Sequence, residues 1–164
     1  MIKKINILFI TMFGIGYSKY APGTVASFIT SLIFIFFFNF KINILYLILA
    51  ICFIFIYSVF AIDISSKYFD EVDSKEIVID ELIGQSIPIL TIYNFLEKNN
   101  INDFILLTII AFVLFRLFDI VKPYPIYKID KEIKNGFGVM LDDVVAGVFS
   151  AIFLLIIILF APNV

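Results

Sequence analysis

Charged residues come in clumps along this chain, and the spaces between the clumps are its first structural signal. No Asp, Glu, Lys or Arg lies between Lys19 and Lys41, between Lys41 and Asp63, or from Val144 onward, and each of these gaps is 21 residues long. A helix that crosses a bilayer needs ~20 predominantly apolar residues, so each gap predicts one crossing. Two weaker apolar stretches, 77–96 and 104–121, carry charges near one end. The pattern predicts an all-α fold, an integral membrane bundle of about four to five embedded helices near 24–40, 42–62, 78–96, 104–121 and 144–161. The opening stretch MIKKINILFITMFGIGY reads as a short helix or interfacial segment. The GIGYSKYAPG that follows lacks a convincing small-x-small cleavage site and is broken by glycines and a lysine.

Composition agrees with a membrane solvent. Of 164 residues 62% are hydrophobic, against about 45–50% in a soluble domain, and the mean hydropathy is +1.09. Histidine and tryptophan are absent, and the single Cys52 sits in an apolar run, which leaves no disulfide and no thiolate or imidazole metal cluster. A net charge of −2 gives no nucleic-acid footprint. Neither a repeat nor a linker interrupts the chain, so residues 1–164 read as one domain.

Charge placement sets the topology. With the N-terminus in the cytoplasm and five crossings, Lys3, Lys4, Lys19, Lys67, Lys75, Arg116, Lys122, Lys128, Lys131 and Lys134 fall inside, and only Lys41 and Lys98 fall outside. Lys and Arg concentrate on the cytoplasmic side of membrane proteins, which favours this arrangement. A re-entrant hairpin at 78–96 is the alternative, and it moves the basic segment 122–134 outside. Five crossings bring GYSKYAPGT, DELIG, RLFDIVKP and MLDD to one face. Ionisable groups at membrane depth usually line a bundle interior or a wet cavity, so one polar site at the cytoplasmic face is expected.

Helical spacing sharpens this site. In IVIDELIGQSIP, positions 77, 80, 81, 84, 85 and 88 share a stripe, placing Asp80, Glu81 and Gln85 on one face. Gly84 on that face permits a close helix neighbour, and Pro88 leaves the Gly84 carbonyl without its helical donor. Asp142 and Asp143 share a side with Ala146, Gly147 and Ser150, a small-residue face that should turn inward. Arg116 and Asp119 are i, i+3 neighbours. Lys122 is biased out of the helical region by Pro123, and Pro123 with Pro125 is expected to impose an extended segment.

Four carboxylates, Asp80, Glu81, Asp142 and Asp143, with Asp119 a fifth candidate, cannot all ionise in a partly dry site without a cation. An oxygen-only donor set selects a hard ion, and Mg²⁺ fits best. Magnesium beside Arg116 and Lys122 is an arrangement that holds phosphate, and the Ala21-Pro22-Gly23-Thr24 turn offers helix N–H groups, with Thr24, to the same anion. Simpler readings exist: acids that suit a helix dipole at 80–81, an interfacial stop at 142–143, a structural ion pair at Arg116–Asp119, and a plain turn at 21–24. Asp70, Glu71, Asp73 and Lys75 read as a solvated turn, and residues 128–134 as a solvated stretch that also attracts anionic headgroups.

The ordered motifs APGTVAS (21–27), VIDELIGQ (78–85), FRLFDIVKPYPI (115–126) and GFGVMLDDVVAG (136–147) together resemble the phosphatidylglycerophosphatase A family. The resemblance covers about residues 14 to 150. It implies a magnesium-dependent enzyme of the bacterial inner membrane that removes the terminal phosphate of phosphatidylglycerophosphate to give phosphatidylglycerol. By position it implies functional roles for Asp80, Glu81, Arg116, Asp119, Lys122, Asp142 and Asp143. Elimination agrees. A cysteine phosphatase needs Cys five residues before Arg, a phosphohistidine enzyme needs His, and an aspartyl-phosphate enzyme needs DxD; the chain has none of these. Metal-activated water remains, with one carboxylate as base. The rival classes are a cation- or proton-conducting transporter subunit and a non-catalytic lipid-binding scaffold.

Overall fold

The computed structural model describes residues 2–69, 72–93, 96 and 100–160; Asp70, Glu71 and Lys98 lie outside the described residues. Among these there is no strand. In order, the chain forms α1 (Ile2–Ile10), a 3-10 turn (Ile15–Tyr17), α2 (Pro22–Asn39), α3 (Ile44–Ser65), a second 3-10 turn (Ser66–Tyr68), α4 (Ile79–Tyr93), α5 (Ile101–Val121), α6 (Ile126–Glu132) and α7 (Gly136–Phe160). Helices α2, α3, α5 and α7 are each long and apolar enough to cross a membrane, and the chain is a multi-pass membrane protein.

Helix α4 is the exception that organises the rest. Its 15 residues extend about 22 Å at ~1.5 Å per residue, less than the ~30 Å hydrocarbon layer. It nevertheless runs from one end of the bundle to the other. It starts beside the start of α2, and its last residue, Tyr93, donates its O–H to the Ile42 carbonyl in the α2–α3 connection at 3.0 Å. Within its described length α4 is therefore a continuous helix and not a hairpin. Ten of its residues are buried, whereas α3 buries only Leu47, Ser58, Ala61, Ile62 and Ser65. A helix facing lipid must be apolar nearly all round, while one wrapped by protein can carry polar groups.

The α4–α7 crossing depends on missing side chains. Pro88 has no N–H to give the Gly84 carbonyl, and a Cβ added at Gly147 would lie 2.3 Å from that oxygen. A Cβ at Gly84 would in turn lie 2.5 Å from the Phe115 ring and 2.7 Å from the Asp143 carbonyl. At the far end, the Phe38 and Phe104 rings stack with centroids 3.9 Å apart, and Tyr93 meets both edge-on.

Helix ends differ from the hydropathy boundaries where acids are buried. Helix α7 begins at Gly136 instead of 144, because its first turns face protein: Gly138, Met140, Asp142 and Asp143 are all buried. Two of its otherwise orphaned N–H groups find acceptors. Gly136 donates to Asp63 Oδ1 at 2.5 Å and Gly138 to Asn135 Oδ1 at 2.9 Å. The segment after α5 is not extended as expected. Lys122 closes α5 in the left-handed region (φ 45°, ψ 59°), and Ile126 donates to the Pro123 carbonyl at 2.7 Å in a turn. Pro125 then stands just before α6, where its missing N–H costs little, and fully buried Ile126 joins Phe115 and Ala146 in the core.

The opening stretch forms α1 as expected, half-exposing Ile5 and Leu8. It is tied to the bundle by Tyr57, which donates to Asn6 Oδ1 at 2.8 Å, and by the Val78 N–H, which donates to the Ile10 carbonyl at 3.0 Å.

Candidate active site

Three helix ends and the first turns of α7 meet at one end of the bundle. Ala21 takes a left-handed conformation (φ 41°) and Pro22 opens α2. The next residue, Gly23, is pressed against its neighbours: a Cβ there would fall 1.9 Å from Glu81 Oε1 and 3.2 Å from Arg116 Nη1. The start of α2, the start of α4 and the last turns of α5 thus converge on Glu81 and Arg116. Thr24 lies half-buried in this first turn of α2.

The acids of α4 and α7 come together across the glycine crossing. Carboxylate oxygens of Asp80, Glu81 and Asp143 all lie within 4.8 Å of one another. Asp80 and Asp143 are buried and Glu81 is half-buried. Glu81 Oε2 and Asp143 Oδ2 have no hydrogen-bond partner among the described residues. Three carboxylates this close repel one another unless a cation lies among them. Their oxygen-only chemistry fits a hard divalent ion such as Mg²⁺, and the unpartnered oxygens fit direct ligation.

The remaining expected residues take other positions. Arg116 Nη1 stands 2.6 Å from Asp119 Oδ2 and 3.9 Å from Glu81 Oε1, which ties the guanidinium to the edge of the trio. Lys122 Nζ donates to Asp142 Oδ2 at 2.7 Å and lies 3.2 Å from Asp130 Oδ1. Lys134 Nζ adds a contact to Asp130 Oδ1 at 3.7 Å. Burial alone would lower the Lys122 pKa, but the hydrogen bond to Asp142 and the charges of Asp142 and Asp130 raise it above the ordinary value, so its ammonium is held charged. The five acids expected to share metal therefore divide. Asp80, Glu81 and Asp143 form the cluster, and Asp119 and Asp142 are each engaged by a cation.

Two residues that sequence reasoning passed over now matter. Asp130 belongs to the stretch expected to be solvated, yet it is half-buried and bridges Lys122 and Lys134. Its i, i+4 spacing to Lys134 was the available signal. Asp63, near the end of α3, accepts from the first N–H of α7 and had no signal in the sequence. The turn residues Asp73 and Lys75 are exposed, as expected.

Comparison with known proteins bears on what this arrangement does. A family model described as Phosphatidylglycerophosphatase A matches residues 8–158. A Bacteroides thetaiotaomicron protein named "Putative phosphatidylinositol-3-phosphatase" is 36% identical over 150 residues, 89% of each chain. The Escherichia coli protein named Phosphatidylglycerophosphatase A is 33% identical over 139 residues, 85% of this chain and 75% of that one. Its Haemophilus influenzae namesake is 55% identical over 42 residues, 26% of each. No solved structure matches the chain.

Proposed function

The chain belongs to the phosphatidylglycerophosphatase A family, and on that premise we propose that it hydrolyses the terminal phosphate of phosphatidylglycerophosphate, with Mg²⁺, at the cytoplasmic face of a bacterial inner membrane. Membership makes it a phosphatase of membrane phospholipids; the substrate, the ion and the orientation are the proposal. The observation that carries it is the carboxylate trio of Asp80, Glu81 and Asp143, with oxygens within 4.8 Å of one another, bordered by Arg116 at 3.9 Å from Glu81. Residues 1–164 are taken as one domain.

Asp80, Glu81 and Asp143 would hold the ion. When bound, Mg²⁺ supplies charge to the phosphoryl oxygens and acidifies a water. Arg116, fixed by Asp119 and Glu81, binds the equatorial phosphoryl oxygens through its planar donors. Lys122, held by Asp142 and Asp130, adds a second positive charge, and the first turn of α2 at Gly23 and Thr24 faces the same anion. A water oxygen forms the new bond to phosphorus as the bond to the glycerol oxygen breaks. A carboxylate of the trio takes one proton of the water and passes it to the departing oxygen, which leaves as the lipid alcohol, while the other proton stays on the phosphate. Water and phosphomonoester go in; alcohol and inorganic phosphate come out.

The name of the Bacteroides relative supports a second reading, phosphatidylinositol 3-phosphate as substrate. Purified protein in detergent, offered each lipid with Mg²⁺ or with EDTA, separates the two by phosphate release. Release from phosphatidylglycerophosphate alone, abolished by EDTA, is the expected result. Release from neither lipid returns the chain to the scaffold or transporter classes. Orientation is read by reporter fusions: outside after Asn43 and Asn100, cytoplasmic after Lys131. A cytoplasmic signal at Asn100 would overturn the proposed orientation of α4 and α5.

A further inference from the structure

Gln85 occupies the turn of α4 just inward of Glu81, at the i, i+4 position that continues the face Glu81 presents to Gly23 and Arg116. It is 0% exposed, and neither Oε1 nor Nε2 has a hydrogen-bond partner among the described residues. Several buried hydroxyls of the bundle behave differently, although those of Ser65 and Thr108 are also unpartnered among the described residues. Ser27, Ser31 and Ser150 each donate to the carbonyl four residues back, and Ser86 does the same to Leu82. These hydroxyls satisfy themselves within their own helices. A carboxamide cannot do so, and a buried amide with both ends unpaired is costly to keep. Glu81, one helical turn away on the same face, also has an unpartnered oxygen, Oε2, and so does the Asp143 that clusters with it, at Oδ2, while the Nε–H of Arg116 is unpartnered as well among the described residues.

Resting on the hydrolytic reading above, we infer that Gln85 is a further binding residue of the site, and that its carboxamide holds the attacking water. An amide both accepts and donates. A bare cation could satisfy only Oε1, and a phosphate oxygen only Nε2, whereas a water donates to Oε1 and accepts from Nε2. Between Gln85 and the carboxylate trio a water is presented in one orientation, with a proton directed at the carboxylate that will take it. No Ser, Thr or Tyr hydroxyl is needed for this step.

The test is Gln85→Met, which keeps the length and volume of the side chain and removes both polar ends. Thermal unfolding in detergent without Mg²⁺ is compared with phosphate release by the same preparations, wild type first. Because no described residue partners the amide, the variant should melt at or above the wild-type temperature. Its kcat should fall about 100-fold, the usual contribution of a group that orients a proton transfer, with KM and the half-saturating Mg²⁺ concentration unchanged. A lower melting temperature, or failure to fold, would mean that protein groups hold the amide and would overturn the inference whatever the activity. Unchanged kcat overturns it too. A kcat restored by raising Mg²⁺ makes Gln85 a metal ligand instead. A wild type that releases no phosphate from either lipid sinks the parent reading, and that result is known before any variant is made.

Discussion

The two ends of α4 solve opposite problems with the same helix. At its start, Asp80 and Glu81 meet Asp143 and Arg116, and carboxylate oxygens and the Arg116 Nε–H have no partner among the described residues. At its close, Tyr93 lies against the stacked pair of Phe38 and Phe104 and gives its hydroxyl a defined acceptor, the Ile42 carbonyl. One end is finished by the chain itself, and the other is left open, as the proposed ion and substrate would need it to be. Stability should reside at the aromatic end and chemistry at the acidic end, and substitutions should separate them.

The largest effect is expected at the acids. Asp143→Asn keeps size and removes one charge from the trio. Activity should fall on the order of 10³-fold or more, the scale of losing a metal ligand, while melting temperature holds or rises as repulsion is relieved. Asp142→Asn should lose less, since its Lys122 partner keeps an acceptor; equal losses would erase the division between the two aspartates. Next comes Arg116→Lys, which keeps the charge and loses the planar fork. A loss of about 10²-fold in phosphate release with normal folding is expected. If Arg116 served only as the partner of Asp119, the double change Arg116→Leu with Asp119→Leu would stay folded and active, and measuring it settles the matter.

At the aromatic end the expected signs reverse. Phe38→Ala opens a cavity in the stack and should cost about 3 kcal/mol of stability, with kcat at a permissive temperature unchanged. A large fall in kcat for folded protein would show that the two ends are coupled. The smallest effect belongs to Tyr93→Phe, which deletes one hydrogen bond and should lower stability by about 1 kcal/mol with activity intact.

What the sequence makes legible follows from which solvent each residue faces. Helices α2, α3 and α5 border lipid, so hydropathy finds them within a few residues. Helix α4 is surrounded by protein, and its acids, glutamine and proline read as interruptions when counted as a membrane span. Its polar stripe is nonetheless plain at helical spacing, and Asp80, Glu81 and Gln85 share a face as that spacing requires. The division between Asp142 and Asp143 is different in kind. Adjacent helical residues point ~100° apart, and only the docking of α7 on α4 decides which one reaches Asp80 and Glu81. Asp130 is obscured for another reason: a short, charge-rich helix after two prolines has the composition of a solvated loop, and only the anchoring of Ile126 turns it toward Lys122.

The crossing of α4 and α7 has a mechanical consequence. The Gly84 carbonyl, released by Pro88, abuts α7 at Gly147, so that even a methyl group there would lie 2.3 Å from the oxygen. Two stiff rods touching backbone to backbone have no compliant layer between them, and the contact acts as a hard stop. Asp80 and Glu81 ride on one rod, Asp143 on the other, all within about two turns of that stop. A side chain at 147 would be a wedge near a fulcrum, prising the acids apart without touching any of them. The spacing of three charges is thereby gauged at a position that bears neither a charge nor a side chain.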